Sequence, residues 1–236
     1  KPALDHSVYD SWRTLRGYSL PQNGDILLYM VTPGEGDGLL VIENIRTGQH
    51  IEVPRGTRAT LSQDGSKVIA QIKPLFSQTR QAKIKKAKKD DMPKDTLAII
   101  DVKTGAIEKF ANYKSHGTPD KLHSHIAFEL TPAKEKPAAK GEKPQGKPEE
   151  KAEGKPAPKK TPVKELYVME INTMKIDTLK NVAQYKFNED GDLLAYIVEP
   201  EKKDTVTKPA LMLYTVAIGE SKEVISGPKG SKIKLP

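Results

Sequence analysis

The chain contains no cysteine, which excludes disulfides and thiolate metal sites and leaves the cellular compartment open. No run approaches the roughly 20 apolar residues of a membrane-spanning helix. Aromatic residues are scarce, at 6% with a single Trp, and hydrophobic residues reach only 36%. Much of that poverty is local. Residues 133–162 are almost entirely Lys, Pro, Glu, Ala and Gly. Such a segment has no apolar surface with which to offset its ordering entropy, so it is expected to be disordered or extended. Outside it the sequence is that of an ordinary β-protein rich in Leu, Ile, Val and Tyr, long enough at 236 residues for one large domain. The chain begins at Lys1 and not at Met, which reads as processing or a cut, with any signal peptide already removed.

The formal charge is +8, which raises the question of a nucleic-acid partner. The excess comes mainly from the 133–162 segment and from residues 80–89 (RQAKIKKAKK). Neither interleaves aromatics with cations as a groove for single strands does. A solvated basic surface is the reading adopted, with no nucleic acid among the expected partners.

What the chain does have is a degenerate repeat. Residues 18–31 (YSLPQNGDILLYMV), 59–72 (ATLSQDGSKVIAQI) and 185–198 (YKFNEDGDLLAYIV) share one order of apolar, polar and glycine positions. Each is followed by a second element: LLVIENIRTGQHIEV, LAIIDVKTGAIEKF and LMLYTVAIGESKEVI. Fixed-order self-similarity marks a stacked repeat, and each unit reads as four short antiparallel strands, one blade of a β-propeller. Gly24 and Gly65 lie about 41 positions apart, and Gly65 and Gly191 about three such units. The fold expected is therefore all-β, a partial propeller of about four blades over 18–236. Asn23-Gly24, Asp64-Gly65, Thr47-Gly48, Thr104-Gly105 and Asp190-Gly191 supply the positive φ that tight turns need. Four blades lie at the bottom of the usual range of about four to eight, so the chain is expected to be the first part of a longer propeller.

Ahead of it, residues 1–17 are read as a helix or turn segment. Val8, Trp12 and Leu15 have helical spacing, with Asp10 or Ser11 available as a cap. Two insertions fall between the second and third strands of their blades: 74–95, with a helix expected over 78–89, and the 133–162 segment. Repeat proteins collect insertions at equivalent loops of one face, and that face is often functional. The third blade is the least regular. Its second strand is placed at 122–130 (LHSHIAFEL) without a preceding Asp-Gly, and its third at 166–171.

SVYDSWRTLRGYSL, TPGEGDGLLVIEN, Arg55-Gly56 and above all IKPLFSQTRQAKIKKAKKDDMPKDTLAIID resemble the amino-terminal propeller of bacterial prolyl oligopeptidase-like serine peptidases. The resemblance extends through NVAQYKFNEDGDLLAYIVE. It implies a partner α/β-hydrolase domain with a Ser-Asp-His triad, peptide substrates and a periplasmic or secreted location. It implies no catalytic residue here, because the nucleophile elbow needs Gly-x-Ser-x-Gly. Gly65-Ser66 runs on into a strand, Gly219-Glu220-Ser221 lacks the second glycine, and Gly230-Ser231 is near the terminus. Glu149-Glu150 lies in the low-complexity segment and does not match the glutamate pair by which some dipeptidyl peptidases hold an amino terminus.

His123 and His125 are two apart on one expected strand, with His116 as a third imidazole. No carboxylate sits at useful spacing, so no metal is expected. Asp10, Arg13, Arg16 and Trp12 form a polar cluster whose Trp is expected to pack the terminal segment onto the propeller. The 34–38 run (GEGDG) lacks the Lys and Ser/Thr of a phosphate loop, and Glu35 and Asp37 do not have EF-hand spacing. No cofactor is expected. The function read from the sequence is a non-catalytic propeller that gates peptide access to a hydrolase domain. The alternatives are a stand-alone binding propeller resembling the TolB type and a cell-envelope interaction module. Unpartnered terminal blades also predict self-association of the fragment, through apolar faces carrying some of Leu193, Leu194, Tyr196, Leu211, Leu213 and Tyr214.

Overall fold

The computed structural model describes residues 8–9, 12–20, 24–121, 124–132, 164–199, 208–228, 231 and 233–235. The low-complexity insertion, Asp10, Ser11, Asn23, Leu122 and His123 fall outside them. The described residues are all-β, with one α-helix. Unit one is β1 (Arg13–Ser19), β2 (Ile26–Pro33), β3 (Leu39–Asn44) and β4 (Gln49–Pro54), hydrogen-bonded in that order. Unit two is β5 (Gly56–Leu61), β6 (Lys67–Ile72), β7 (Asp95–Asp101) and the first half of β8 (Ile107–Gly117). Unit three takes the second half of β8, then β9 (His125–Leu130), β10 (Glu165–Glu170) and β11 (Ile176–Lys180). Unit four is β12 (Val182–Phe187), β13 (Leu193–Val198), β14 (Ala210–Thr215) and β15 (Glu220–Ser226). All pairings are antiparallel neighbours in the chain, which is the four-strand meander of a propeller blade.

The missing strand of the third unit is inside β8. Tyr113 pairs with Asp95 of β7 on one side and with Leu130 of β9 on the other. One strand thus closes unit two and opens unit three, turning at Asn112, which has φ +59. The same device joins the other units. Arg55 (φ +63) separates β4 from β5, and Asn181 (φ +61) separates β11 from β12. At each junction the carbonyl accepts a hydrogen bond from the residue just past the unit's second strand: Lys73 N–H to Arg55, Thr131 N–H to Asn112, Glu199 N–H to Asn181. Gly34 N–H to Trp12 is the counterpart in unit one.

That equivalence explains a correction. The segment expected to be a helix or turn through residue 17 is instead a strand from Arg13 onward. Among the described residues ahead of it Val8 and Tyr9 make a short 3₁₀ turn, and Arg13–Ser19 is β1, paired with β2. Pairing with β2 from Arg13↔Pro33 onward satisfies the backbone over a longer stretch than one isolated turn of helix does. Trp12 does not anchor the segment by burial either. It packs on the ring of Tyr9 at 4.9 Å and remains 55% exposed.

Three apolar seams hold the units together. Ile26, Leu28, Leu40 and Ile42 of unit one meet Val68, Ala70, Ala98 and Ile100 of unit two. The other face of unit two, with Ile69, Leu97 and Ile99, meets Ile126, Phe128 and Met169 of unit three. Leu166, Val168 and Ala127 then meet Leu194, Tyr196 and Tyr214 of unit four. Middle strands are therefore buried on both faces and read as continuous apolar runs: KVIAQI in β6 and LAII in β7. Strands β1 and β15, at the two ends of the row, are exposed throughout. Of the side chains expected on an open terminal face, Leu194, Tyr196 and Tyr214 are buried in the third seam, while Leu193, Leu211 and Leu213 remain half-exposed.

Candidate functional site

The blades have two unlike ends. At one, first-to-second and third-to-fourth strand turns repeat closely. Gly24, Gly65 and Gly191 have φ of +67, +71 and +79, and Gly48, Gly105 and Gly219 have +72, +72 and +71. At the other end lie the unit junctions and the second-to-third strand connections, which differ between units one and two. The candidate site is built there.

The helix expected in the first insertion forms as α1 (Phe76–Ile84), two residues earlier than anticipated and with no buried residue. It has no side-chain cap of its own. Instead Asp37, from the glycine-rich loop of unit one, accepts a hydrogen bond from the Phe76 amide at 2.8 Å. An acceptor at this place satisfies one orphan amide of the first turn and complements the helix dipole. Glu35 of the same loop pairs with Arg80 on the helix. The two acidic side chains that sequence reasoning left unassigned thus hook the insertion across to the preceding unit. Beneath α1 is a cleft of about 350 Å³, with Met30, Leu39, Pro74, Phe76 and Pro93 as its apolar part. Its charged wall is the pair Lys73–Asp95 at 3.0 Å, and Arg55 closes the junction by donating to the Lys73 carbonyl at 2.9 Å. The volume is at the lower end of small-ligand sites.

Asp95 links this cleft to a polar group on the first strands of units two and three. Its carboxylate accepts a hydrogen bond from the Gln71 side-chain amide, and its strand neighbour is Tyr113. The Tyr113 hydroxyl and His116 Nδ1 are 2.7 Å apart. Burial lowers the His116 pKa, and the positive charge of Arg58 lowers it further, so the ring is neutral near pH 7. Burial raises the Tyr113 hydroxyl and pushes Tyr185, on the first strand of unit four, up to about 12. These groups are donors, acceptors and one cation. They can bind and orient, but they do not assemble a nucleophile with its base.

The histidine cluster considered for metal does not converge. His116 lies opposite Phe128 and shares the face toward unit two, whereas His125, an odd number of positions from Phe128 on a regular strand, points toward unit four. His123 is outside the described residues. Among the described residues no three His, Asp or Glu side chains are grouped to hold a metal ion. Ser124 Oγ is 2.7 Å from His125 Nδ1, but the neighbouring Asp177 carboxylate is engaged by the Tyr214 hydroxyl at 2.6 Å, so no serine-base-carboxylate relay is formed there. Arg13 and Arg16 are exposed on β1, and Asp10 lies outside the described residues.

The fold is similar to several solved structures. The β-propeller domain of the trilobed protease from Pyrococcus furiosus has 10% identity and a TM-score of 0.47, with 90% of this chain and 57% of that one covered. Acylaminoacyl peptidase from Pyrococcus horikoshii has 12% identity and a TM-score of 0.48, over 94% of this chain and 34% of that one. A prolyl endopeptidase structure has 13% identity and a TM-score of 0.49, over 93% and 30%. The matched regions are β-propeller domains of prolyl oligopeptidase-like peptidases. The likeness is one of fold, and this chain spans between under a third and somewhat over half of their lengths. No protein-family model matches the chain, and no curated protein matches it.

Proposed function

We propose that this chain is the non-catalytic propeller portion of a prolyl oligopeptidase-like serine peptidase and gates peptide access to an α/β-hydrolase domain. The observation that carries the reading is the 72–101 segment, whose residues bear the most specific part of the resemblance. It folds as an insertion fastened by Asp37 and Glu35 over the loop end of two adjacent units. A rigid row of units with a decorated loop end suits steric selection: narrow, unfolded chains pass and folded proteins do not. Acyl transfer belongs to the partner domain, through its own triad. The peptide substrates and the periplasmic or secreted setting belong to the same proposal.

Two experiments test it. The coding sequence downstream of Pro236 should encode a Gly-x-Ser-x-Gly segment within an α/β pattern. A stop codon, or further blades alone, would replace the gating reading with a stand-alone binding propeller. Incubating the 236-residue chain with a fluorophosphonate probe should label no serine. A labelled serine in this chain would contradict its non-catalytic role.

A further inference from the structure

The two end faces of the row lack the cover that the repeat gives to every inner face. The third strands align on Asn44, Asp101, Glu170 and Thr215, whose carbonyls accept the turn amides. Four positions before them stand Leu40, Leu97, Leu166 and Leu211, and two before them Ile42, Ile99, Val168 and Leu213. In units one to three these side chains are at most 2% exposed, because the next unit packs on them. In unit four Leu211 and Leu213 are half-exposed. Ile225, the rung partner of Leu211, is 60% exposed, whereas Val53, the rung partner of Leu40, is 1% exposed. The Leu235 amide donates to Gln184 Oε1, on the rung of Ile197. The terminal residues thus reach the first-strand side of this face, and Leu211, Leu213 and Ile225 stay open.

Unit one leaves the opposite kind of face open. Leu27, Tyr29 and Val31 follow Gly24 at the spacing with which Val68, Ala70 and Ile72 follow Gly65. The latter three are buried in the first seam, and the former three are half-exposed. Glu43 stands where the other units bury Ile100, Met169 and Tyr214.

One pair of positions fixes how such faces meet. Ile42↔Ile51, Ile99↔Glu108, Val168↔Asp177 and Leu213↔Lys222 are the same rung in the four units. In the first seam Ile51 and Ile100 pack in one cluster. In the third seam the Tyr214 hydroxyl donates to Asp177 at 2.6 Å. The Ile51 position of one unit therefore meets the Ile100 position of the next. At the two open ends these positions hold Lys222 and Glu43, an ammonium and a carboxylate. Neither is in an ion pair among the described residues, and Lys222 is exposed. Opposite charges on two apolar faces suit each other, and each face repels a copy of itself. The end strands β1 and β15 are exposed throughout, so the row is open and one chain does not satisfy both faces. Head-to-tail contacts form a ring when their rotation closes. Two rows of four units reach the upper end of the usual range of about four to eight blades.

We propose that two copies of this chain join end to end, unit four of each against unit one of the other, in a closed ring of eight units sealed by Lys222–Glu43 pairs. The contact follows from the repeat and does not rest on the peptide-gating reading. Sedimentation velocity of the 236-residue chain over the micromolar range should show monomers and dimers and no larger species. Lys222→Glu and Glu43→Lys should each weaken dimerisation about tenfold or more, since each sets like charges together at both contacts. An equimolar mixture of K222E and E43K should recover the dimer to near the wild-type level, because both contacts of the mixed dimer again pair a lysine with a glutamate. Misfolded variants could not recover on mixing, so the mixture separates repulsion from damage. Lys222→Ala, on an exposed strand, should weaken the dimer less than K222E does. A chain that stays monomeric at every concentration would overturn the contact, and growth into ever larger assemblies would overturn the ring. A mixture no more dimeric than either variant alone would also overturn it, pointing to closure within one chain or to another surface.

Discussion

The turn end and the loop end of the units are made of the same strands but obey different rules. At the turn end, the third-to-fourth connections are nearly superposable in their bonding. Gly48 N–H to Asn44, Gly105 N–H to Asp101, Met174 N–H to Glu170 and Gly219 N–H to Thr215 all span 2.8–3.0 Å. Side chains reinforce them: Asn44 accepts from the amides of Arg46 and Thr47, and Asp101 from those of Lys103 and Thr104. At the loop end the junction hydrogen bonds repeat, but among the described residues the connections do not: unit one has the short 34–38 loop and unit two the helix-bearing 73–94 insertion, with Arg55 in left-handed backbone and the cleft beside it. Repetition marks what stabilises the row, and departure from repetition marks what distinguishes this chain.

Substitutions can break that division in order of expected cost. Phe128 sits in the middle seam, 1% exposed and packed on the rings of Phe110 at 5.2 Å and Tyr167 at 5.5 Å. Phe128→Ala should lose about 3–5 kcal/mol in denaturant unfolding. A loss below 1 kcal/mol would mean that the units do not depend on their seams.

At the turn end, Asp101→Asn removes the partner of Lys67, a pair at 2.6 Å with side chains 13% and 25% exposed. The expected cost is about 2 kcal/mol, between exposed and fully buried pairs. The Lys67 ammonium and the amide of Thr104 hold the Asp101 carboxyl far below the ordinary carboxylate range. A depressed folded-state pKa gives stability that is present above the unfolded value near 4 and lost as pH falls toward the folded one. Urea midpoints measured between pH 6 and 2 should therefore fall less steeply for D101N than for the wild type. Equal slopes would show that the pair contributes nothing.

Gly105 has φ +72, and an added Cβ would meet only Ile51, at 3.9 Å. Gly105→Ala should thus cost about 1 kcal/mol from backbone strain alone, measured as a shift in thermal midpoint. Unit three carries Met174 at the corresponding position, with φ +58, and its partial packing against the second seam offsets the strain. Smallest of all, Glu35→Gln at the loop end should change global stability by less than about 0.5 kcal/mol, because its ion pair with Arg80 is exposed. Faster amide exchange confined to α1 would be its signature; a large global loss would move the loop end into the stabilising part of the fold.

This contrast also sets what could be read from the sequence. Strands bounded by Gly24, Gly65 and Gly191 were legible because glycine at positive φ and apolar alternation are local signals. Asp37 as the cap of α1 and Glu35 as the partner of Arg80 were not, since each acts across about 40 residues of chain and a change of unit. The first strand of unit three, within YKSHG, was hidden because β8 runs through the junction without a glycine. Trp12 misled in the other direction. Its helical spacing with Val8 and Leu15 was outweighed by pairing of the next residues with β2.

Hydrogen exchange of the chain tests the division most directly. The hydrogen-bonded turn-end amides of Gly48, Gly105 and Met174 should exchange slowly, and those of the unburied helix α1 many-fold faster. Equally slow exchange in α1, or fast exchange at all three turns, would contradict the account.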